Sequence, residues 1–423
     1  MNSASEATAV SKLRKKGAIL YLTNHFTHPV FEAQMASPRY HLARALAKNA
    51  LRLILFSPLG RHVGSPLRDF IANLRPKLLQ DGNIRILFPP ILKPPGQIGT
   101  GLAMVQGTFF LMLYLAITRP KVSCQYATTI LTAASGAIIR KFFGFPLVAN
   151  YGDPDHVREF GVARKIFWFC ESLVFNRKNA SRAVYIDPVV GDYLRRVFPM
   201  VPLRFLPNGG YESGYHPPTI NSQEVVTLKL KYGLEGCTVI LYAGQVEPFP
   251  YRLDLLVKAA PKILELFPNV RFMIIGSGSF LSELASMVRK TGLADSFIFT
   301  GPVPYDKISP YVVLADITLQ LLRDMCMGTK VILYMVHRKP VISTGSWYNQ
   351  YNEFLVNGKN CILIPPDVDA LANAIISLLK DVALRRRIGE EGWLTVKPYS
   401  WDTHALVTTE LMLQTLEPRG GSV

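Results

Sequence analysis

Apolar and polar positions alternate along the chain in blocks. Short, nearly continuous apolar runs are separated by longer stretches with helical spacing, and the order recurs almost end to end. That rhythm predicts parallel α/β layers, because strands buried on both faces lose the polar–apolar alternation of a one-sided sheet. In the first half the predicted strands are 18–23, 51–56, 122–126, 146–150, 183–186 and 203–206, with helices at 40–48, 132–142, 165–175 and 189–197. Residues 57–100 read as irregular, since Pro89-Pro90 and Pro94-Pro95-Gly96 interrupt any period. Residues 102–117 are the most apolar run. With Gln106, Gly107 and Thr108 inside, they fall short of the roughly 20 clean apolar residues of a spanning helix. A helix packed on the sheet and a helix dipping into one leaflet both fit.

The rhythm pauses between Pro207-Asn208-Gly209-Gly210 and Tyr215-His216-Pro217-Pro218, and polar 219–224 reads as linker. It restarts with strands at 239–243, 270–275, 297–300, 315–322, 341–343 and 361–364. Helices are predicted at 253–264, 308–313, 330–336, 370–380, 384–392 and 401–416, with a further one after Gly276-Ser277-Gly278-Ser279. Three parts result: residues 1–215, residues 216–398 and a terminal helical segment, 399–423. The stretch from Met325 to Thr344 stands out. Gly328 and Thr329 open the helix at 330–336, and Arg338-Lys339-Pro340 breaks it. Thr329 is placed to cap that helix. Its N-terminus, with Lys330 beside it, suits a phosphate, and a plain crossover is the alternative.

Charge sharpens this picture. The chain carries a net +17. Residues 1–218 hold 27 Lys/Arg against 11 Asp/Glu, and residues 219–423 hold 20 against 19, so the excess sits in the first half. Such an asymmetry suits an anionic membrane or a lipid phosphate. No nucleic-acid-binding module and no basic–aromatic stripe is present, so nucleic acid is not an expected partner. A hydrophobic content of 49% excludes a disordered chain. Five scattered cysteines without a CxxC argue against a disulfide framework or zinc site and fit a reducing compartment. The basic cluster at 12–16 is followed by an apolar run too short for a secretory signal. Asp153-x-Asp155, across a proline, is a weak metal signal, because loop aspartates commonly cap the next helix. No metal is expected. Gly276-x-Gly278 lacks the third glycine of a dinucleotide fingerprint, so NAD is not expected either.

Taken together, the motifs resemble one family: retaining, family-4-like glycosyltransferases with the GT-B fold (glycosyl transferases group 1). The resemblance covers nearly the whole chain. It is carried by Pro207-Asn208-Gly209, the strand Val239-Ile240-Leu241-Tyr242-Ala243-Gly244, Ile274-Ile275-Gly276-Ser277-Gly278 and Phe299-Thr300-Gly301-Pro302-Val303. Further along, Lys339-Pro340-Val341-Ile342, the segment from Glu353 through Asn357-Gly358-Lys359-Asn360 to Ile364-Pro365-Pro366, and Tyr399-Ser400-Trp401 also match.

The resemblance implies two Rossmann-like domains facing across a cleft: a basic, acceptor-binding N-domain, a nucleotide-sugar-binding C-domain and a terminal helix crossing back. It implies transfer of a sugar from a nucleotide-sugar to a lipid-linked or polysaccharide acceptor, in cell-surface glycan biosynthesis, by a cytoplasmic enzyme peripheral at the inner membrane face. The nucleotide-sugar is then a co-substrate, and no resident cofactor is needed. The donor-site residues it implies are Gly244, Gln245, Arg252, Gly276, Gly278, Val303, Asp324, Thr329 and Lys330. Those near the reacting carbon are Asp153, His25 and His28. The chain also departs from the pattern. Gln245 stands where the family has Arg, Leu333 where a carboxylate holds the ribose, Met325 at the other carboxylate position, and Arg338 where the family has Gly. A catalytically impaired GT-B-like subunit, partnering an active transferase, is the alternative these departures leave open.

Overall fold

The computed structural model describes residues 3–23, 38–49, 51–57, 77–81, 83–88, 96–152, 161–176, 182–217, 219–322, 329–344 and 354–416. The chain forms two compact units. One comprises Met1–Gly209 with Trp401–Val423, the other Gly210–Ser400.

The first unit is built on strands β1 (Ala18–Leu22), β2 (Leu53–Phe56), β3 (Lys77–Asp81), β4 (Ile84–Phe88), β5 (Val122–Ala127), β6 (Leu147–Tyr151), β7 (Arg182–Tyr185) and β8 (Leu203–Phe205). Among the described residues they make one eight-stranded sheet, ordered β3-β4-β2-β1-β5-β6-β7-β8. Only β3 runs antiparallel to its neighbour. β1 is buried at every position, as a central parallel strand must be. Its helices are α1 (Ser3–Lys16), α2 (Pro38–Lys48), α3 (Gly96–Thr118), α4 (Ile130–Phe143), α5 (Gly161–Val174) and α6 (Pro188–Val197). Helices α3 to α6 cover one sheet face through Leu111, Leu115, Ala133, Ala137, Val174 and Leu194. α4 is well delimited. Thr129 and Thr132 form a reciprocal capping box at its start, and Gly144 ends it in a left-handed turn.

The second unit restarts the pattern with β9 (Thr238–Ala243), β10 (Val270–Ile275), β11 (Phe297–Gly301), β12 (Ile317–Gln320), β13 (Val341–Thr344) and β14 (Ile362–Ile364). They form a parallel sheet ordered β11-β10-β9-β12-β13-β14. Its helices are α7 (Gln223–Tyr232), α8 (Leu253–Leu266), α9 (Leu281–Lys290), α10 (Ser309–Leu314), α11 (Thr329–Val336), α12 (Val368–Lys380) and α13 (Val382–Val396). Asp367 and Asp381 cap α12 and α13 by accepting from the amides of Ala370 and Leu384. The terminal helix α14 (Trp401–Leu416) belongs to the first unit. With α1 and α2 it covers the other sheet face through Trp401, Ala405, Leu411 and Met412.

Several sequence expectations need correction. Residues 57–100 are not wholly irregular: β3 and β4 pair there, and α3 begins at Gly96. The apolar run is longer than 102–117, because the uncharged stretch ahead of it also winds into helix α3. α1 and α7 were not expected, since each is short on apolar positions; α7 buries only Val225. Thr329 is the first helical residue of α11 rather than the residue before it.

The Pro207-Asn208-Gly209 turn has a packing cause. A Cβ at Gly209 would lie 2.5 Å from the Trp401 indole and 2.8 Å from its backbone nitrogen. His404 on the same helix meets the Pro207 carbonyl at 3.0 Å. Gly209→Ala should therefore destabilise the first unit by about 1–3 kcal/mol, the usual cost of overpacking, measured by urea denaturation.

Candidate functional site

In the second sheet the chain leaves β9 for β10 and β11 on one side, then returns to β12 on the other. Loops beyond the carboxyl ends of β9 and β12 therefore diverge and leave a crevice, the place where open α/β sheets bind ligands. β9 and β12 pair only at Ile240–Ile317 and Leu241–Thr318. Past that point the Ala243 amide is satisfied by the Tyr334 hydroxyl of α11, at 2.8 Å, instead of by a strand. The Tyr334 side chain thus substitutes for the missing ladder and props the two strand ends apart.

Lys330, in the first turn of α11, lies at this opening. Its Nζ donates to Tyr242 Oη at 3.0 Å. It also sits 4.1 Å from the Tyr242 ring centroid and 4.6 Å from that of Tyr251. Two aromatic faces favour the cation, but no carboxylate among the described residues pairs with it. Burial pushes its ammonium down to about 7. Tyr242 Oη donates to the Gln245 carbonyl at 2.6 Å, and Tyr251 Oη donates to Gln245 Oε1 at 3.3 Å. Gln245 thus orders the two tyrosines rather than offering charge. α11 itself is held at its far end by His337. Its Nδ1 lies 2.8 Å from the Leu333 carbonyl, and its Nε2 lies 2.7 Å from Ser309 Oγ and 3.0 Å from Tyr215 Oη. Burial lowers this imidazole to about 4 and keeps it neutral.

The glycines at the strand ends are there for backbone proximity. A Cβ on Gly244 would fall 2.5 Å from Lys330 Nζ. One on Gly276 would fall 1.8 Å from the Gly244 carbonyl oxygen, and one on Gly278 would fall 2.1 Å from that of Val246. The loops are stitched where they touch. The Gly244 amide donates to Ile275 O at 2.9 Å, Val246 to Ser277 O at 3.0 Å and Phe280 to Val246 O at 3.0 Å. Gly276 and Gly278 therefore fix the position of the Gly244–Gln245 turn beneath Lys330. Val303 lies on the third loop of this edge, after β11, half-buried.

Arg252 caps the edge differently. Its guanidinium grips Asp254 with two bonds, 2.9 and 3.1 Å, and Lys258 meets the same carboxylate at 3.0 Å. Burial alone would raise the Asp254 carboxyl, and the two cations outweigh it and hold it low. The Arg252 amide donates to Leu321 O at 3.1 Å and ties this loop to the end of β12. Its side-chain charge is already matched, unlike that of Lys330.

The structure thus brings Gly244, Gln245, Gly276, Gly278 and Lys330 into one corner, with Thr329 exposed at the start of α11. Arg252 joins that corner through its backbone. Asp324, Asp153, His25 and His28 lie outside the described residues. The sequence did not single out Tyr242, Tyr251 or Tyr334. Two tyrosines flanking the turn after β9 were the available signal.

Residues 237–381 match the model of the family Glycosyl transferases group 1. A GDP-mannose-dependent alpha-(1-6)-phosphatidylinositol monomannoside mannosyltransferase of Mycolicibacterium smegmatis is 25% identical over 202 residues. The match covers 45% of this chain and 52% of that protein, about half the relative's length. Among solved structures, sucrose-phosphate synthase from Thermosynechococcus elongatus superposes with a TM-score of 0.75 at 19% identity, covering 94% of this chain and 98% of the other. Anabaena HepE in complex with UDP gives a TM-score of 0.68 at 16% identity, covering 94% and 100%. These likenesses establish two Rossmann-like units of the GT-B kind. The chain therefore has the GT-B fold, and its residues 237–381 are similar to the glycosyl transferases group 1 family.

Proposed function

We propose that this chain is a glycosyltransferase that moves a sugar from a nucleotide-sugar to a lipid-linked or polysaccharide acceptor, with retention, in cell-surface glycan biosynthesis. It would work on the cytoplasmic side, peripheral at an anionic membrane surface met by its basic first unit. The observation that carries the reading is Lys330. An ammonium without a paired carboxylate among the described residues, drawn down by burial, sits at the opening of the switch-point crevice in the region similar to the group 1 family. When the sugar–phosphate bond breaks, negative charge collects on the leaving diphosphate. A fixed cation and the amide end of α11 stabilise that charge more than the ground state, which is how preorganised electrostatics accelerate transfer. The reading calls for no bound metal. The relative named for GDP-mannose and a phosphatidylinositol mannoside, and the structural neighbour seen with UDP, supply the chemical class of donor and acceptor.

On this reading Asp153, His25 and His28 serve the reacting sugar, binding its hydroxyls or steadying positive charge on the anomeric carbon. Asp324 and Val303 complete the donor pocket. Screening GDP- and UDP-sugars by thermal shift should raise the melting temperature for one base selectively. Arg252→Ala should weaken nucleoside-diphosphate binding less than Lys330→Ala does, because the Arg252 charge is matched by Asp254. If no nucleotide-sugar binds or turns over, the non-catalytic subunit takes this reading's place.

A further inference from the structure

α3 is inside out. It carries no charged residue from Gly96 to Thr118. Its inner face packs on the sheet through Leu111 and Leu115, Ala103 is buried as well, and the buried hydroxyl of Thr108 bonds to Ser135 Oγ of α4 at 2.7 Å. The outer face carries five exposed apolar residues at helical spacing, Leu102, Val105, Phe109, Leu113 and Ile117, with a half-buried Gln106 beside them. Val105, Phe109 and Ile117 are 69%, 70% and 71% exposed. α4 packs against both α3 and α5 on the same sheet face. α5 adds Trp168 and Phe169, at 55% and 63% exposure. A scattered exposed leucine is ordinary, but a stripe of this kind marks a binding surface.

Charge selects the occupant. No Asp or Glu occurs from Gly96 to Gly152. The one acid of α5, Glu171, is buried, bonded to the hydroxyls of Tyr151 and Tyr193. Exposed cations frame the stripe: Arg119 and Lys121 just after α3, Lys141 near the end of α4, Arg164 and Lys165 on α5. Apolar side chains bounded by Lys and Arg, with a tryptophan among them, match the interface of an anionic bilayer. The stretch Gly101–Thr118 has the length and composition to cross a membrane. Crossing would strip Leu111 and Leu115 from the core they complete, so the helix fits lying in the interface.

We propose that the α3 stripe, with Trp168 and Phe169, is the face by which the first unit inserts into the headgroup region of an anionic membrane. This deepens the membrane part of the proposed function and rests on it. The test uses the full chain with vesicles of phosphatidylglycerol and phosphatidylcholine, with and without bromine on the acyl chains. Brominated lipid should quench tryptophan fluorescence in the wild type, and Trp168→Phe should remove that quenching while leaving sedimentation largely intact. The triple variant Val105→Ser, Phe109→Ser, Ile117→Ser should lower the partition coefficient at least about tenfold. These positions are exposed, and an unchanged melting temperature would confirm folding. Vesicle binding without quenching, or unaffected by the triple variant, would leave charge alone as the cause and overturn insertion. A dimer in lipid-free ultracentrifugation that the triple variant abolishes would assign the face to a second copy and also overturn it. Thermal shift with nucleotide-sugars, run without vesicles, reports the donor reading separately: a positive shift with no vesicle binding sinks this inference alone.

Discussion

Lys330→Met should cut nucleoside-diphosphate affinity about 10- to 100-fold while leaving the ligand-free protein as stable as before or more so. The two effects have opposite origins. A charge-assisted bond to a phosphate is worth about 1.5–3 kcal/mol. A desolvated ammonium, by contrast, costs the folded state, and methionine of similar length removes that cost. A residue kept for packing would show the reverse pattern, with lost stability and unchanged binding. Titration calorimetry and urea denaturation on one preparation decide between them.

The same lysine sets a pH dependence. Its ammonium titrates near 7 in the folded protein, against an ordinary value of 10.5. Between those values the unfolded chain binds more protons than the folded one, so the Lys330 penalty shrinks and stability rises as pH increases. Binding runs the other way. A diphosphate prefers the ammonium and raises its proton affinity, so binding takes up a proton above pH 7, and affinity falls by at most about tenfold per pH unit. Calorimetry at pH 8 in buffers of different ionisation enthalpy would register that proton. Lys330→Arg should abolish the uptake, since guanidinium stays charged throughout. Equal proton uptake in wild type and Lys330→Arg would mean that another group titrates.

Much of the second unit was legible because its physics is local. β9 and β10 are mostly apolar, broken only by Thr238 and Arg271 near their starts, and buried along most of their length, and Gly244 and Gly276 follow them directly. Asp381 and Asp367 announce their helices by side-chain chemistry within one turn. The β3–β4 pair was missed although Asp81-Gly82-Asn83 is a turn signal, because prolines on the downstream side made the whole region look irregular. The Lys330 environment could not be read at all. Tyr242 lies near the end of β9, Tyr251 on the loop that follows it and Lys330 in the first turn of α11, and only the fold brings the lysine to the two tyrosines. The α3 stripe was half legible: the sequence shows an uncharged helix, but not which side the sheet leaves bare. Arg338 shows a departure that the structure accounts for. Its φ is +54°, a left-handed position that favours glycine. The arginine there gains an ion pair with Glu390 at 3.2 Å and a place 5.7 Å from the Trp393 ring centroid. Leu333 has no such account, and nothing in α11 replaces a carboxylate at that position.

Three glycines of the second sheet's carboxyl edge should separate stability from binding. Gly276→Ala should cost about 3–5 kcal/mol, among the larger effects of any single substitution. Its Cβ would overlap the Gly244 carbonyl oxygen at 1.8 Å, and backbone, unlike a side-chain tip, cannot swing aside. Its φ of +135° adds strain that side chains rarely tolerate. Gly301, which follows on β11, is the control. Its φ is +74° and a Cβ there meets nothing within 4 Å, so Gly301→Ala should cost only about 1–2 kcal/mol of left-handed strain. Gly244→Ala stands between them. The atom its Cβ meets, at 2.5 Å, is the end of the flexible Lys330 side chain. The ammonium would be pushed off the Tyr242 ring, and diphosphate affinity should fall by a larger factor than in Gly301→Ala, to a level approaching Lys330→Met. If Gly244→Ala instead binds nucleotide like wild type, the cation does not face the ligand, and the crevice must hold its phosphates elsewhere. If Gly276→Ala unfolds at the wild-type urea midpoint, the stitched contact between the two loops is not what holds the turn. The order of the three variants in urea, set against their order in calorimetry, therefore tests both what positions the lysine and what the lysine is for.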